Sequence, residues 1–547
     1  MRLNRSDAPD PGWDISLHEF PIAPRYRSKP DFIQYNALMK THPSTTSTKS
    51  VSTKPVGTNP LGFHKDTQRL ITTPRLILAA AIATMLITPI AAFAAGSEFV
   101  PPGNLNPSTI TIPSNTKRQL VPNPLITING LITSTGSLNV NSTDHAILIT
   151  GTVALVIQAP TVAGGGTVQQ LANTSNARAI RCTTNSSTGT PFGISITNSG
   201  LIKTVSQDAI QVTTASMSSS TSIFLGNYGT IVAGGGQALD WRDIKSAPNC
   251  LVNYGSITAA MSDAVRLGLD SGVFEDGKVE NYGSIEGTNG NGINGGDATL
   301  NDTYIHHFIC NTGTIKGKKG NGIDIDGLRI NYTTKIVNTK TGNTGGLISG
   351  YAMMGDADGV DVDGIIDLSN TGDITGQGNA MMHEGVATGG GFIHNEGFIY
   401  GDTNGIKVDG GSSNSALAPI TIENCGYIQG RDGYGILLIG SFNDLVSVSS
   451  TITGLARIDG NVDLGGGDDN LYIEGSNGNI IINGTVDGGA GADTVTFNVP
   501  TGQTYTFTFP IANLENLVKQ GGGNLILTAG HTTWNSLSIE DGTVTLQ

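Results

Sequence analysis

Four carboxylates stand close together in the stretch GDADGVDVDG, at Asp356, Asp358, Asp361 and Asp363. Neighbouring carboxylates can act as general acid and base in the inverting hydrolysis of glycosides, and Asp358 and Asp361 are the candidates for that role. The same four side chains could instead hold calcium, which takes oxygen ligands. A solvated turn without chemistry is the third interpretation of this stretch.

The surrounding residues weigh against catalysis. Asp358-Gly359-Val360-Asp361 resembles the N-T-D-G-x-D motif of polygalacturonases, but Asp356 and Ala357 replace its Asn-Thr. Neither the G-H-G nor the R-I-K segment of those enzymes follows. The stretch NGIDIDG has the same alternation of aspartates, which makes it a feature of a repeat. We therefore expect no enzymatic activity, and a polysaccharide hydrolase or lyase is the alternative.

A second pair of aspartates suggests calcium near the C-terminal end. The stretch 488–495, GGAGADTV, matches the calcium-binding nonapeptide G-G-x-G-x-D-x-U, with Asp493 at the aspartate position. NVDLGGGDDNLYI matches it only in part and has Asp469 there. The calcium in such rolls lies between successive nine-residue repeats, and these aspartates are much farther apart in sequence. Gly/Asp turns without metal are therefore favoured, and calcium is the one cofactor that the sequence admits.

A repeat between residues 198 and 430 must position these side chains. It begins each time with Asn, a Gly two residues later and an apolar residue soon after, as in NYGTI and NTGDI. Self-similarity at this period is typical of repeat architectures. The leading asparagines are Asn198, Asn227, Asn253, Asn281, Asn311, Asn343, Asn370, Asn395 and Asn424.

Apolar and polar residues alternate over short runs inside each repeat, and no run has helical spacing over ten residues. The sequence therefore predicts an all-β fold, a right-handed parallel β-helix with coils of about 25–30 residues and stacked Ile, Val and Leu. We expect the Asn and the Gly to share a tight corner, with positive φ supplied by the Gly. Insertions are expected around 331–338 and near 381–384.

The composition limits the partners. The chain has 547 residues, 75 of them Gly, and a net charge of −14. Residues 1–75 carry 11 basic and 6 acidic side chains, so the remainder is strongly acidic. Because phosphate binding needs clustered cations, nucleic acid is not expected as a partner. The four cysteines are far apart in sequence and are expected to be free thiols.

The stretch 76–92 predicts a secretory signal. Basic residues precede an apolar core, and Ala92-Phe93-Ala94 offers a cleavage site before Ala95. Cleavage between Ala94 and Ala95 is therefore expected, with a retained membrane anchor as the alternative.

The last residues carry a resemblance to a known family. A Lys and Gly run, G-x-L-x-L-x-G and then I-x-x-G-T-x-x-L resemble the passenger-associated repeat of bacterial autotransporters. The residues that carry it are Lys519, Gly522, Gly523, Leu525, Leu527, Gly530, Ile539, Gly542, Thr543 and Leu546. The asparagine repeats also resemble these passengers, a pectin-lyase-like scaffold. The family's translocator barrel does not follow in this sequence, so the resemblance implies one supplied by a further C-terminal part.

Together these features predict six segments along the chain. They are a disordered polar leader (1–74), a signal core with its cleavage site (75–95), a Pro-rich linker (96–126), an N-terminal cap with the first coils (127–195), regular coils (196–440), and C-terminal coils with Gly/Asp turns and the passenger-associated repeat (441–547).

The resemblance implies an exported protein at the surface of a Gram-negative bacterium or outside it. It implies an adhesin or a structural stalk, whose partners are host or matrix glycans, proteins or sister cells. A calcium-stiffened surface protein is a further alternative to the polysaccharide-degrading enzyme.

Overall fold

The structure, a computed structural model, describes parts of the chain between Ile110 and Gln547. The described ranges are 110–112, 119–120, 128–132, 137–141, 145–149, 153–157, 166–175, 177–184, 193–214, 222–241, 249–267, 277–295, 307–326, 333–342, 344–353, 355–378, 382–410, 415–450, 454–528 and 534–547. The leader, the signal core and the cleavage site at Ala94 and Ala95 lie outside them.

The described residues form strands and no helix. The first strands are β1 (Ile110–Ile112), β2 (Gln119–Leu120), β3 (Ile128–Ile132), β4 (Ser137–Val140), β5 (Ile147–Ile149), β6 (Val153–Ile157), β7 (Thr167–Gln170), β8 (Ile180–Thr184), β9 (Gly193–Asn198), β10 (Leu201–Thr204), β11 (Ile210–Thr214), β12 (Ser222–Asn227), β13 (Thr230–Ala233), β14 (Leu239–Asp240), β15 (Asn249–Asn253) and β16 (Ser256–Ala259).

The middle strands are β17 (Val265–Arg266), β18 (Gly277–Asn281), β19 (Ser284–Gly287), β20 (Ile293–Gly295), β21 (His307–Asn311), β22 (Thr314–Gly317), β23 (Ile323–Ile325), β24 (Thr333–Asn338), β25 (Leu347–Ala352), β26 (Val360–Val362), β27 (Ile365–Asn370), β28 (Asp373–Gly378), β29 (Val386–Thr388), β30 (Gly391–Asn395), β31 (Phe398–Gly401) and β32 (Ile406–Val408).

The last strands are β33 (Ile420–Asn424), β34 (Tyr427–Leu438), β35 (Leu445–Ser449), β36 (Ala456–Asp463), β37 (Asn470–Glu474), β38 (Ile480–Asn483), β39 (Val486–Asp487), β40 (Thr494–Asn498), β41 (Thr504–Phe507), β42 (Ile511–Ala512), β43 (Asn516–Gln520), β44 (Asn524–Leu527), β45 (Ser536–Ile539) and β46 (Thr543–Leu546).

All the strand pairs are parallel and join one coil to the next, which confirms the predicted parallel β-helix. Each regular coil has three faces. Face A is a 16-stranded sheet that runs from β3 through β9, β12 and β15 to β45. Face B contains β10, β13, β16 and their equivalents, and face C contains β11, β14, β17 and theirs. The long strands β34 and β36 run through both, so faces B and C form one 27-stranded sheet.

The stretch 96–126, for which the sequence predicts a linker, contains β1 and β2. These two strands pair with β4 and β5 in the same 27-stranded sheet.

A column of isoleucines fills the interior behind face B. Eleven of them lie one above another in successive coils, each in register with the next: Ile202, Ile231, Ile257, Ile285, Ile315, Ile348, Ile374, Ile399, Ile428, Ile458 and Ile482. All are buried. Each burial contributes about 1.5–3 kcal/mol, so the stacking predicted from the repeat is the main source of cohesion.

The asparagine ladder stands at the corner between faces A and B. Each member is the last residue of a face A strand and is fully buried. Its Nδ2 donates to the Oδ1 of the next member at 2.8 or 2.9 Å. The members are Asn198, Asn227, Asn253, Asn281, Asn311, Asn338, Asn370, Asn395 and Asn424.

One predicted member of the ladder was wrong. Asn338, not Asn343, stands between Asn311 and Asn370, and it bonds to both. Asn343 itself lies outside the described residues. The expected insertion at 331–338 is also wrong, because Thr333–Asn338 is a regular strand in register with β27. The extra residues follow Asn338, before β25 begins at Leu347.

The corner glycines have a different role from the predicted one. Neither the ladder asparagines nor the glycines two residues after them have positive φ among the described residues. The glycines are required because successive corners touch. A Cβ on Gly283 would lie 2.1 Å from the carbonyl oxygen of Gly255, and one on Gly255 would lie 2.0 Å from that of Gly229.

A lysine takes the ladder position near the C-terminal end. Val448, Ile473 and Phe497 continue the column after Asn424, and Lys519 follows them. The Lys519 side chain is fully buried. Its Nζ donates to the carbonyl oxygens of Gln520 and Gly521 at 2.6 Å and of Asp541 at 3.1 Å. The ammonium therefore ties the last coils together through backbone oxygens.

We expect Asn281→Asp to destabilise the β-helix by at least about 2 kcal/mol, because it removes a buried donor and adds a charge. Asn281 Nδ2 donates to Asn311 Oδ1 at 2.8 Å and to the Thr314 carbonyl at 3.0 Å. The midpoint of guanidinium denaturation, followed by circular dichroism, measures the effect. Asn289→Asp is the matched control, since Asn289 bonds only at a partly exposed turn. Equal shifts in the two variants would contradict the role of the ladder.

Candidate functional site

A column of hydrogen-bond acceptors lies at the turn that leads into face C. An oxygen of each side chain accepts a hydrogen bond from the equivalent residue of the next coil. Asn321 Oδ1 accepts from the amide of Asp358, and Asp358 Oδ1 accepts from the amide of Glu384, both at 2.7 Å. This acceptor column consists of Asp208, Asp263, Asn291, Asn321, Asp358, Glu384 and Asn404.

Three carboxylates converge at this column. One oxygen from each of Asp356, Asp358 and Glu384 lies within 4.8 Å of the other two, and we call these residues the Asp358 cluster. Asp358 and Glu384 are buried, whereas Asp356 is exposed. Burial, followed by the charge of Glu384, raises the pKa of Asp358 well above its ordinary value. Burial also raises the pKa of Asp356.

Asp361 lies beside this cluster on the outer side of face C. It is in register with Asp324 of the preceding coil and Ala387 of the following one. Asn321 Nδ2 donates to Asp361 Oδ2 at 3.4 Å. Burial and then the charge of Asp324 raise the pKa of Asp361, and burial raises the pKa of Asp324 to about 7.

The structure thus brings together two of the four carboxylates predicted for calcium. Asp356 and Asp358 converge with Glu384, whereas Asp361 and Asp363 do not belong to that group. Asp363 is close enough for its charge to act on Asp361. In the part of the chain described here, this is the one group of three such ligands within that distance.

The two catalytic candidates have different surroundings. Asp358 is 1% exposed, and one of its oxygens is occupied by the Glu384 amide. Asp361 is half-buried at the surface of face C. The buried carboxylate of Asp358 holds two coils together and thereby serves the fold. Acid–base catalysis by this pair stays the untested alternative.

A separate carboxyl column leads into face A in the C-terminal coils. The amide of Asp444 donates to Asp469 Oδ1 at 2.7 Å, and that of Asp469 to Asp493 Oδ1 at 2.8 Å. The amide of Asp493 donates to Glu515 Oε2 at 2.9 Å. Asp469 and Asp493 therefore stand in successive coils, 24 residues apart, as links of a hydrogen-bonded column.

The second oxygens of Asp469 and Asp493 are buried without a hydrogen-bond partner. A desolvated carboxylate oxygen disfavours the charged form. Burial accordingly raises the pKa of Asp469 to about 7 and that of Asp444 to about 6, and it raises the pKa of Asp493 as well. The column is therefore a proton-binding feature of the folded state.

The sequence analysis missed several members of these columns. Glu384, Asn321, Asn404 and Asp444 were not among its candidates. A signal for the first three was present, because a polar residue with a side-chain oxygen precedes the small residue that opens most face C strands. Because these polar residues recur at one position of the repeat, their side chains are expected to turn inward.

The four cysteines, all among the described residues, form no disulfide, as predicted. Cys182 and Cys425 are buried, and Cys250 and Cys310 are half-buried. Burial raises the pKa of the Cys182 thiol to about 12.

Comparison with known proteins gives no match: no family model, no curated protein and no solved structure is similar to this chain. Across the described ranges, no helix is long and apolar enough to cross a membrane. The β-helix agrees with the resemblance to autotransporter passengers. Membership of this chain in that family stays an expectation.

We expect the stability of the β-helix to fall as the pH rises from about 4 to 7. Asp469 has an ordinary pKa of 3.8 when unfolded and about 7 when folded, so the folded state binds more protons in this range. Its stabilising contribution is complete below pH 4 and is lost as pH rises through 7. Asp469→Asn should flatten this dependence. The difference in free energy of unfolding between the variant and the wild type should therefore change in favour of the variant by about 1–3 kcal/mol from pH 4 to pH 8.

Denaturation midpoints between pH 4 and pH 8 measure this effect. Asp367→Asn is the control, because Asp367 lies on the surface and pairs with Lys335 at 2.9 Å. A midpoint that falls between pH 4 and 7 by the same amount in the wild type and in Asp469→Asn would refute the role of Asp469.

Proposed function

We propose that this protein is an exported, surface-displayed or secreted β-helix of the autotransporter-passenger type, acting as an adhesin or structural stalk. The observation that most supports this proposal is the separation between the inward-facing residues, which stack the coils, and the outward-facing residues of the strands. The isoleucine column, the asparagine ladder and the acceptor column account for the stacking of the coils. Outward positions of the strands are therefore free to carry a recognition surface.

The described surface has one row of exposed aromatic side chains suited to recognition. Tyr228, Tyr254 and Tyr282 follow the ladder asparagines of three successive coils and are 56%, 49% and 43% exposed. Their rings are stacked, with centroids 5.1 and 4.6 Å apart and planes within 7°. We call them the tyrosine row.

The tyrosine row fits partners with both apolar and polar groups. Rigid stacked rings lose little conformational entropy on binding, and each tyrosine offers a hydroxyl beside an apolar edge. Phe224 and Met261 are also exposed in the same coils, at 43% and 62%. Glycans, matrix proteins and sister cells offer this mixture, whereas the net charge of −14 disfavours nucleic acid.

The principal alternative is a β-helix that degrades polysaccharides, with Asp358 and Asp361 as the acid and base. Their raised pKa values favour it, because one group must hold a proton near neutral pH. Calcium-dependent stiffening of a surface protein is the other alternative, and its candidate ligands from the sequence are Asp356, Asp358, Asp361, Asp363, Asp469 and Asp493.

We expect residues 1–95 to direct a fused periplasmic reporter across the inner membrane of a Gram-negative host. Cleavage between Ala94 and Ala95 should leave Ala95 at the N-terminus of the exported product, as read by mass spectrometry. Ala94→Arg should block cleavage, because the peptidase site needs a small residue. Ala83→Ser, within the apolar core, is the control, and a reporter that stays in the cytoplasm would contradict export.

We expect the purified full chain to bind immobilised glycans, matrix proteins or bacterial cells. The triple change of Tyr228, Tyr254 and Tyr282 to Ser should weaken that binding at least tenfold, because it removes the exposed rings. Tyr351→Ser is the matched control, since Tyr351 is 41% exposed and lies outside the tyrosine row. Circular dichroism checks that the variants fold.

Three outcomes of this experiment count against the proposal. Absence of binding to every surface contradicts it, and equal loss in the Tyr351→Ser control contradicts the role of the tyrosine row. Release of reducing sugars from pectin-like polymers, abolished by Asp361→Asn, would establish the enzymatic alternative instead.

A further inference from the structure

The carboxylates of the Asp358 cluster come from two successive coils. Asp356 and Asp358 precede β26, and Glu384 precedes β29, which pairs with it. Asp358 Oδ1 is occupied by the Glu384 amide, and Glu384 Oε1 accepts from Asn404 Nδ2 at 2.9 Å. Each of these two side chains therefore has a fixed orientation and a second oxygen to offer. Asp356 is exposed and opens the cluster to solvent.

The carboxyl groups of Asp356 and Asp358 each have an oxygen within 4.8 Å of the other. Two ionised carboxylates at such a separation repel each other. A divalent cation offsets this repulsion, because it attracts both oxygens. The cluster therefore favours a bound proton or a bound cation over a set of free charges.

An independent observation points to a ligand at this cluster. His383, the residue before Glu384, is 0% exposed, and neither nitrogen of its imidazole has a hydrogen-bond partner. His383 and Glu384 lie in the same turn, directly before β29. Buried polar groups are normally satisfied, and a hydrated cation held by Asp356 would supply a donor to the imidazole.

The charges around the cluster are unbalanced. Lys407, in the following coil, acts on Asp356 and Asp358, but it is already paired with Asp409 at 2.7 Å. Asp361 adds a further negative charge beside Asp358. A concentration of negative charge attracts cations when the nearby lysine is already paired with another carboxylate.

We propose that Asp356, Asp358 and Glu384 bind a hard divalent cation of the calcium class and thereby join two successive coils of the β-helix. All three ligands are carboxylate oxygens, which calcium and magnesium prefer, whereas zinc prefers nitrogen or sulfur. Calcium fits better than magnesium, because it accepts irregular sets of oxygens and magnesium needs near-ideal octahedral geometry. This site is independent of the tyrosine row and of the proposed display function.

Isothermal titration calorimetry of the full chain with calcium, magnesium, manganese or zinc chloride tests the site. We expect calcium to bind with a dissociation constant of roughly 0.1–1 mM, as in extracellular modules, and more tightly than magnesium or zinc. Asp356→Asn and Glu384→Gln should each weaken calcium binding at least tenfold. Asp356 lies outside the hydrogen-bond columns and is exposed, so Asp356→Asn is expected to fold normally.

Asp373→Asn is the matched control, because Asp373 is a surface carboxylate paired with Lys340 at 3.0 Å. Titration at pH 6 in two buffers of different ionisation enthalpy should show release of a proton when calcium binds. The thermal midpoint of the wild type should rise with calcium, and that of Asp356→Asn should rise less.

The proposal is overturned if calcium gives no binding heat, or if Asp356→Asn and Glu384→Gln both bind calcium as the wild type does. Tighter binding of zinc than of calcium overturns the assignment to a hard cation. None of these results bears on adhesion, so the two proposals fail separately.

Discussion

The structure depends on the requirement that an amide buried in the interior must find its hydrogen-bond partners in the neighbouring coil. Each ladder asparagine is fully buried and cannot exchange its partners for water. Within the ladder, its Nδ2 donates to the asparagine of the following coil, and its Oδ1 accepts from the asparagine of the preceding coil. This sets the register of every strand that starts or ends at that corner. The isoleucine column supplies the larger free energy, but stacked apolar side chains alone would tolerate slippage between coils.

The same constraint explains why coils of unequal length stack regularly. The steps between ladder asparagines vary from 25 to 32 residues, yet faces A and B stay in register throughout. The variation is confined to the connections, chiefly those beside face C. At most corners two residues separate the asparagine from the face B strand, and the backbone of one glycine touches that of the next. The exception follows Asn338, where residues 339–346 precede β25. The functional candidates stand beside the variable connections, where the Asp358 cluster and the carboxyl column precede their strands.

Much of the fold could be predicted because the interior repeats at every coil. Alternating isoleucines and recurring asparagines identify the strands and the corner without any long-range information. The motif alone selects Asn343, because Gly345 stands two residues after it whereas Lys340 stands two residues after Asn338. Only the pairing of Thr333–Asn338 with β27 identifies Asn338 instead. The glycine requirement was correct, but its cause is contact between coils and not left-handed backbone, which a single repeat cannot reveal.

The candidate site was harder to predict, because it forms from side chains in different coils. Asp356 and Asp358 were visible as an acidic stretch, whereas Glu384 follows 26 residues after Asp358 in a stretch without a matching motif. The sequence likewise gives no sign that one oxygen of Asp358 is used by the backbone.

The asparagine ladder also gives the stack a direction. Every side-chain nitrogen points to the following coil, so the row starts with an oxygen on Asn198 that accepts from Gly200. It finishes with a nitrogen on Asn424 that donates to the carbonyl of Arg457. The aligned amides therefore sum to a dipole along the row, positive toward the C-terminal coils. A newly formed coil meets opposite polarity at the two ends, so zippering of the chain into the stack is intrinsically asymmetric.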